Sequence, residues 1–584
     1  MNKNNFLIIT ISLISSILVE TILTNYLNIL LIDLFISIIL ILLSNFLKNK
    51  NFKLSNKNFK NMLLFYLINL TSININFLIF NTPFIITKFI TIVIITIYQI
   101  KKVNINKHIP YLILLNLSII FGLNSSMSPI GNKNSSMDSS VFRYIGLLIS
   151  KGKIPYIDVF DHKGILLYFI NYLAIIINKN LGLWLIEVLT IFLSSCFAYK
   201  TANLFAKKYL SLLTIIFCFI TLIFAYDGGG NYTEEYALFF IMLSLYYFYR
   251  DVKKDSLIRI SSTIIIGISL GAVLLLRPNM ITVWICMSFY ILINYVKNKK
   301  IKELLKIILI FISSCILFML PFIIYLIYNN AIIEFINQYV IFNFKYSALH
   351  KTTNIYITST YFIMGCKNII ISILVIFYFL FTNKENKNLL IFSLFNIIIS
   401  LILVIIPNNL YNHYAIILIP TFIYPITLLF KQLDKILLEK NFNKKEIITV
   451  ILIFIISMNI NEFNKYIGYF KRSTLQNYPD KYIEEIILNN STSKDNVLIY
   501  GNKAILYLKT NRYTKLKYPY QEPITNIDNE LLNEFKKEFY KNKPQLIVVP
   551  IEYFDHFITK ISNVRDYYNK IPTDSNKYMV YKLK

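Results

Sequence analysis

The sequence predicts a mostly α protein: a polytopic transmembrane helix bundle with a small extracytoplasmic α/β domain at its C-terminus. Three observations carry that prediction. Hydrophobic residues make up 56% of the chain, aromatic residues 16% and charged residues only 15%, beyond the balance of a soluble globular protein. About fifteen apolar runs approach the length needed to cross a bilayer core, roughly 17 to 25 residues. After Lys471 the runs stop, and short strand-like pieces take their place.

Taken in order, the first runs are Phe6 to Thr24, Tyr26 to Leu47, Met62 to Phe80, Phe84 to Ile100 and Ile109 to Leu123. No small-residue cleavage site follows the first, so it reads as a retained span and not a removable signal. Further runs start near Trp184, Tyr209, Tyr236, Ile260, Met280, Leu304, Tyr361, Leu389, His413 and Ile447. The five cysteines lie in or beside these runs without CxxC spacing, which argues for small core residues over a zinc knot or disulfide framework. Ile, Asn and Lys are abundant enough to suggest an AT-rich coding sequence, so a lone Asn or Lys carries little information.

Lysine and arginine collect in the connections beginning near Lys48, Lys101, Lys207, Arg250, Lys297, Lys384 and Lys431, which the positive-inside rule assigns to the cytoplasm. The intervening connections, around Asn25, Asp227 to Thr233 and Pro407 to Asn412, hold almost no positive charge and face outward. The net charge of +28 is therefore mostly topology, and nucleic acid is excluded as a partner. Ile165 to Ile177 is apolar, but as a helix it measures only about 20 Å. Were it to cross, every later lysine-rich loop would change sides, so it reads as a helix lying on the outer membrane surface. The stretch from Asn124 to about Leu183 then forms one external loop. This gives an N-terminal four-helix extension over 1–108, a transmembrane core over 109–460 with external loop 124–183, and a soluble domain over 461–584. The N-terminus is expected in the cytoplasm and the C-terminal domain outside a plasma membrane.

In that last domain, "NVLIYG" at Asn496 and "PQLIVVP" at Pro544 read as strands, and Glu530 to Tyr540 reads as a polar-faced helix.

The charged residues of the outer loops are the candidates for chemistry. Asp138 stands before a segment with helical apolar spacing at Phe142, Ile145, Leu148 and Ile149, where an Asp can simply cap a helix. "IPYIDVFDHKGILLYF" adds Asp158, Asp161, His162 and Lys163 on a turn entering the surface helix; a solvated loop is the plain alternative. Glu234 and Glu235 follow "GGGNYT", where Thr233 can act as N-cap with both glutamates favourably placed in the first turn. Arg277 sits at an outer span end, and a charge there either snorkels or has a partner. His413 and Tyr414 also stand at an outer helix end, as interfacial residues or ligands.

Taken together, an Asp opening an amphipathic helix, then "KGKIPYIDVFDHKG", then an apolar helix, resembles the first external loop of GT-C-fold membrane glycosyltransferases, specifically the bacterial relatives of protein O-mannosyltransferases and the lipid A aminoarabinose transferase (glycosyltransferase family 39-like). "GGGNYTEEYALFF" at Gly228, "LLLRPNM" at Leu274 and "YNHYAIILIP" at Tyr411 agree with it, over roughly Ile109 to Ile460. The chain departs from the commonest motif by carrying Ile165 after "HKG" where many relatives have proline. The resemblance implies transfer of a hexosyl or pentosyl group from a polyprenyl-phosphate donor to a cell-wall saccharide, glycolipid or protein acceptor on the outer face. It implies Asp138 as catalytic base and Lys163, with His162 and Arg277, as the cations that hold the donor phosphate. Asp158, Asp161, Glu234, Glu235, His413 and Tyr414 remain candidates for substrate or a divalent cation; the cofactor requirement stays open.

Walker, GxGxxG and DxD motifs are absent from the sequence, which favours a lipid-linked donor over a nucleotide sugar. A transporter or flippase of lipid-linked saccharides would share the helix count and basic loops, but it would place binding groups near the bilayer middle.

Overall fold

The structure, a computed structural model, describes residues 105–129, 136–226, 229–255, 257–349, 355–382, 385–406, 411–475, 481–573 and 576–584. The four runs expected between Phe6 and Ile100 lie outside the described residues. The chain divides after Phe121 into two units. The described part of the first, residues 105–121, is helix α1 (Ile105–Gly122) up to its last residue, in place of the run expected at Ile109 to Leu123. Its Asn116 and Ser118 turn back onto the carbonyls of Leu112 and Leu114 at 2.8 and 2.7 Å, satisfying polar side chains within an apolar helix.

The second unit opens with α2 (Met137–Ser150) and α3 (Ile165–Ile177), the latter with the bounds expected of the surface helix. Its Leu167, Tyr168 and Ala174 are buried, while Leu173, Ile176 and Ile177 are about half exposed or more, an amphipathic distribution suited to an interface. Then come α4 (Gly182–Asn203), α5 (Lys208–Phe219), its continuation α6 (Thr221–Tyr226), α7 (Thr233–Asp255), α8 (Ile260–Leu274), α9 (Thr282–Lys297) and α10 (Ile301–Tyr328). Shorter pieces follow: α11 (Ile332–Phe335), a π-helical turn (Ile336–Ile341) and α12 (Phe342–Leu349). The bundle ends with α13 (Ile355–Gly365), α14 (Asn368–Thr382), α15 (Lys387–Ile405), α16 (Ala415–Glu439) and α17 (Lys444–Met458).

Each of the ten later runs is thus helical. Among the described residues, five helices are long and apolar enough to cross a membrane, or up to seven if each of two bent pairs, kinked by 77° and 63°, is one span. Helices α8 and α9 are shorter than full spans because Pro278 forces the residue before it into extended backbone. Arg277 accordingly has φ −164° and ψ 119°, and the chain breaks there.

Around 89% of the α16 span is buried inside the protein, against 17% for the α10 span, so α16 is the central helix and α10 faces outward. Helix α10 lies against α8 at glycine: a Cβ on Gly267 would stand 2.5 Å from the Phe311 carbonyl oxygen, and one on Gly271 2.6 Å from that of Cys315. This is the small-xxx-small spacing that lets helices approach in lipid. All five cysteines are buried and free, as small core residues should be.

The two ends of the bundle differ chemically. At one end cluster Lys207 with Asp434 at 2.8 Å, Arg250 and Arg259 with Asp251, and Lys431 with Glu385. The opposite end, about 34 Å away along the 23-residue α7, holds the start of α7, the end of α8 and the start of α16.

Polar α18 (Ile460–Leu475) leads to the C-terminal domain: α19 (Lys481–Asn490), β1 (Val497–Ile499), α20 (Ile505–Thr510), α21 (Ile524–Ile527), α22 (Asn529–Lys541), β2 (Leu546–Pro550), α23 (Phe554–Lys560), α24 (Val564–Tyr567), β3 (Tyr568–Ile571) and β4 (Tyr578–Leu583). The strand order is β1-β2-β4-β3. Strand β1 pairs parallel with β2 at Val497↔Leu546, and β4 runs antiparallel between β2 and β3. The two expected strands are β1 and β2, and the expected polar helix is α22, which buries Leu532, Phe535 and Phe539 on one face.

Candidate active site

Helix α2 begins at Ser136, whose side chain accepts from the Ser139 N–H, so the cap is a serine and Asp138 is the second helical residue. Freed from capping, the Asp138 carboxylate is exposed. The helix is anchored from below by Asn231, a fully buried residue with φ 60°. The Asn231 amide donates to Ser139 Oγ at 3.0 Å, exchanges hydrogen bonds with Asn171 at 3.0 and 3.2 Å, and accepts from the Tyr236 hydroxyl at 2.8 Å. One side chain thereby ties α2, α3 and α7 together.

The loop between α2 and α3 is held by its own acids. Asp158 accepts from the Ile154 N–H at 2.8 Å and pairs with Lys153 at 3.1 Å, closing the turn. Asp161 is 2% exposed and accepts from two phenols, Tyr168 at 2.7 Å and Tyr520 at 2.6 Å. Burial raises its pKa, opposed by Lys163 and by the two phenols. Gln338 accepts from the Asp161 N–H at 3.3 Å and donates to the Tyr156 carbonyl at 2.7 Å.

His162 and Lys163 form a short relay. An ammonium can only donate, so Lys163 Nζ donates to His162 Nε2 at 3.3 Å, which leaves the proton on Nδ1 to donate to Asn343 Oδ1 at 3.1 Å. Burial, then Lys163 and Arg277, lower the His162 pKa well below its usual value, consistent with this neutral tautomer. Burial and Arg277 also lower the Lys163 pKa, while Asp138, Asp161 and Glu234 oppose that shift. Those three carboxylates and Arg277 are the charges the lysine feels.

Gly164 explains how the lysine reaches them. Its N–H donates to the Leu276 carbonyl at 3.2 Å and that of Leu166 donates to Leu275 at 3.1 Å, docking the loop on the C-terminus of α8 next to Arg277. A Cβ on Gly164 would lie 2.0 Å from the Leu275 carbonyl oxygen, so only glycine permits that approach. Ile165 is the first residue of α3, a position whose N–H has no intrahelical partner and which accommodates proline or isoleucine alike. The departure from the commonest motif therefore costs the loop nothing here.

Across from the loop, Glu234 is 1% exposed and binds Arg277 at 2.5 Å. Thr233 is the first residue of α7, and its hydroxyl donates to Glu234 at 2.9 Å instead of capping the helix. Arg277 also donates to the Tyr414 hydroxyl at 3.0 Å. His413 stacks on Tyr232 at 4.4 Å between centroids. Glu235 lies apart from this group: it is fully buried, accepts from Tyr226, and neighbours Glu187.

The structure thus gathers Asp138, Lys163, His162, Glu234, Arg277, His413 and Tyr414 at one end of the bundle. It assigns Asp158 to the turn and Asp161 to the wall of the site, and it directs Glu235 inward. Asn231, Asn171, Gln338, Asn343, Tyr168 and Tyr520 were missed by sequence reasoning. The asparagines were discounted with the composition, and nothing local marks Tyr520. Among the described residues no group of three His, Cys, Asp or Glu side chains forms a metal centre. Asp158 is engaged by lysine, Asp161 by two phenols and Glu234 by arginine.

Residues 98–461 match the family model described as "Putative competence-induced protein Ccs4 N-terminal domain". No curated protein matches the chain in sequence. Among solved structures, the ArnT of Cupriavidus metallidurans bound to undecaprenyl phosphate superposes with a TM-score of 0.52 at 10% identity, covering 80% of this chain and 97% of that one. The archaeal oligosaccharyltransferase AglB of Archaeoglobus fulgidus, in complex with an inhibitory peptide and a dolichol-phosphate, gives 0.46 at 10% identity over 81% and 74%. The likeness to the first gives this chain the GT-C fold.

Proposed function

We propose that this chain, which belongs to the Ccs4 N-terminal-domain family, is a membrane glycosyltransferase that moves a sugar from a polyprenyl-phosphate donor to an acceptor hydroxyl at the extracytoplasmic face. One observation carries the reading: an exposed carboxylate, Asp138, and two cations, Lys163 and Arg277, converge at one end of the bundle. That the same fold holds undecaprenyl phosphate in ArnT supports the kind of donor.

In this scheme the acceptor oxygen attacks the anomeric carbon while its proton passes to Asp138, which turns a weak nucleophile into a competent one. The bond between the anomeric carbon and the phosphate oxygen breaks with inversion. The leaving polyprenyl phosphate gains negative charge, which Lys163 and Arg277 stabilise in a partly desolvated setting. The acceptor is a saccharide, a lipid or a protein. No step runs through a metal.

The test is transfer in proteoliposomes. Labelled sugar passing from polyprenyl phosphate to an added acceptor supports the enzyme; lipid crossing the bilayer with its sugar intact supports the flippase alternative. That alternative fits less well because the charged groups gather at a bundle end and not at the bilayer middle.

Sidedness is tested separately. The buried native cysteines give a low labelling background. On intact cells, Lys151→Cys and Lys494→Cys should react with a membrane-impermeant maleimide, while Lys297→Cys, at the basic end of the bundle, should react only after permeabilisation. All three positions are exposed. The reverse pattern would place the proposed chemistry on the cytoplasmic side and end this reading.

A further inference from the structure

The C-terminal domain does not hang free of the bundle. Tyr507 stacks on Tyr144 of α2 at 4.7 Å, and the Tyr144 hydroxyl accepts from the Thr514 N–H at 3.0 Å. Lys517 offers its carbonyl to the Phe160 N–H at 2.7 Å and its ammonium to Glu334 at 3.2 Å. The ring of Tyr518 stacks on Phe160 at 5.3 Å. These contacts converge on residues 507 to 520 and on the loop that presents Lys163. At their end, the Tyr520 hydroxyl donates to Asp161 at 2.6 Å, the other Asp161 oxygen accepts from Tyr168 at 2.7 Å, and the Tyr168 oxygen accepts from the Lys163 N–H at 3.1 Å. Tyr520 is 6% exposed and Asp161 2%, so this chain of hydrogen bonds is shielded from water, where each is worth more.

We propose that Tyr520 is a positioning residue of the active site: acting through Asp161 and Tyr168, it sets where the Lys163 ammonium stands, and makes the soluble domain a working part of the donor-phosphate site. This rests on the glycosyltransferase reading. A phenol is suited to the task because its single hydroxyl donates to a buried carboxylate while its ring fills the apolar wall. Without that donor, Asp161 keeps Tyr168 as its one phenol and the carboxylate opposite Lys163 is less well held.

The test uses the full-length protein in proteoliposomes, with undecaprenyl phosphate as probe for direct binding and labelled-sugar transfer for kinetics. Tyr520→Phe should raise the donor KM about tenfold, the scale of one hydrogen bond to a charged group, with the acceptor KM unchanged. The acid limb of the pH profile for the donor should move to higher pH, because removing one donor makes Asp161 easier to protonate. The groups facing Asp161 are Lys163, Tyr156, Tyr168 and Tyr520. Asp161→Asn should reproduce the donor effect and abolish the pH shift. Lys345→Ala breaks a second link to the domain, the 2.8 Å pair with Asp528, and should leave both KM values as in the wild type.

Equal donor KM in wild type and Tyr520→Phe, with transfer intact, would overturn this inference and leave the functional reading standing. A wild type that neither binds undecaprenyl phosphate nor transfers sugar would overturn both.

Discussion

Asp138→Asn lowers the rate of sugar transfer by about 10²–10⁴-fold, the range a positioned general base contributes, and leaves the donor KM near its wild-type value. The amide keeps the size of the side chain and cannot take the acceptor proton. The fold should be untouched: the α2 cap is Ser136, Asn231 holds the helix through Ser139, and Asp138 is exposed. Initial rates at saturating donor, with melting temperatures of the purified variants in detergent, check this. A variant that transfers sugar within about tenfold of the wild type removes Asp138 as the base.

Arg277→Met should both destabilise the protein and abolish transfer, for separable reasons. Glu234 is 1% exposed and binds Arg277 at 2.5 Å. Removing one partner of a buried pair strands the other charge, which costs about 3–5 kcal/mol. Adding Glu234→Gln should recover much of the lost melting temperature, because no orphan charge remains. Transfer should stay absent in the double variant, since the departing phosphate has lost one of its two cations. A double variant that regains activity would show that Arg277 serves only to pair Glu234.

Those two residues also show how far the sequence reached. Arg277 was legible as a charge at an outer span end that either snorkels or has a partner. That the partner is Glu234, 43 positions away, was not. Glu234 and Glu235 look alike in sequence, yet consecutive helical residues point about 100° apart. One faces Arg277, and the other faces Tyr226 and Glu187.

The loop acids divide in the same way. Asp158 and Asp161 were indistinguishable candidates three residues apart. Asp158 is settled by its near neighbours Lys153 and Ile154. Asp161 is settled by Tyr520, 359 positions away.

By itself the sequence determined the membrane class, the helical nature of every described apolar run, the bounds of the helix Ile165–Ile177 and the strands β1 and β2. These follow from hydropathy, periodicity and the local rules of proline and glycine, which act within a few residues. Only the tertiary structure decided which charged groups share a site, that Asn231 anchors the Asp138 helix, and that Tyr520 reaches Asp161 in the loop that carries Lys163. The physical reason is that the state of a buried polar group depends on the partner that satisfies it. That partner is supplied by chain packing, which composition and spacing do not encode.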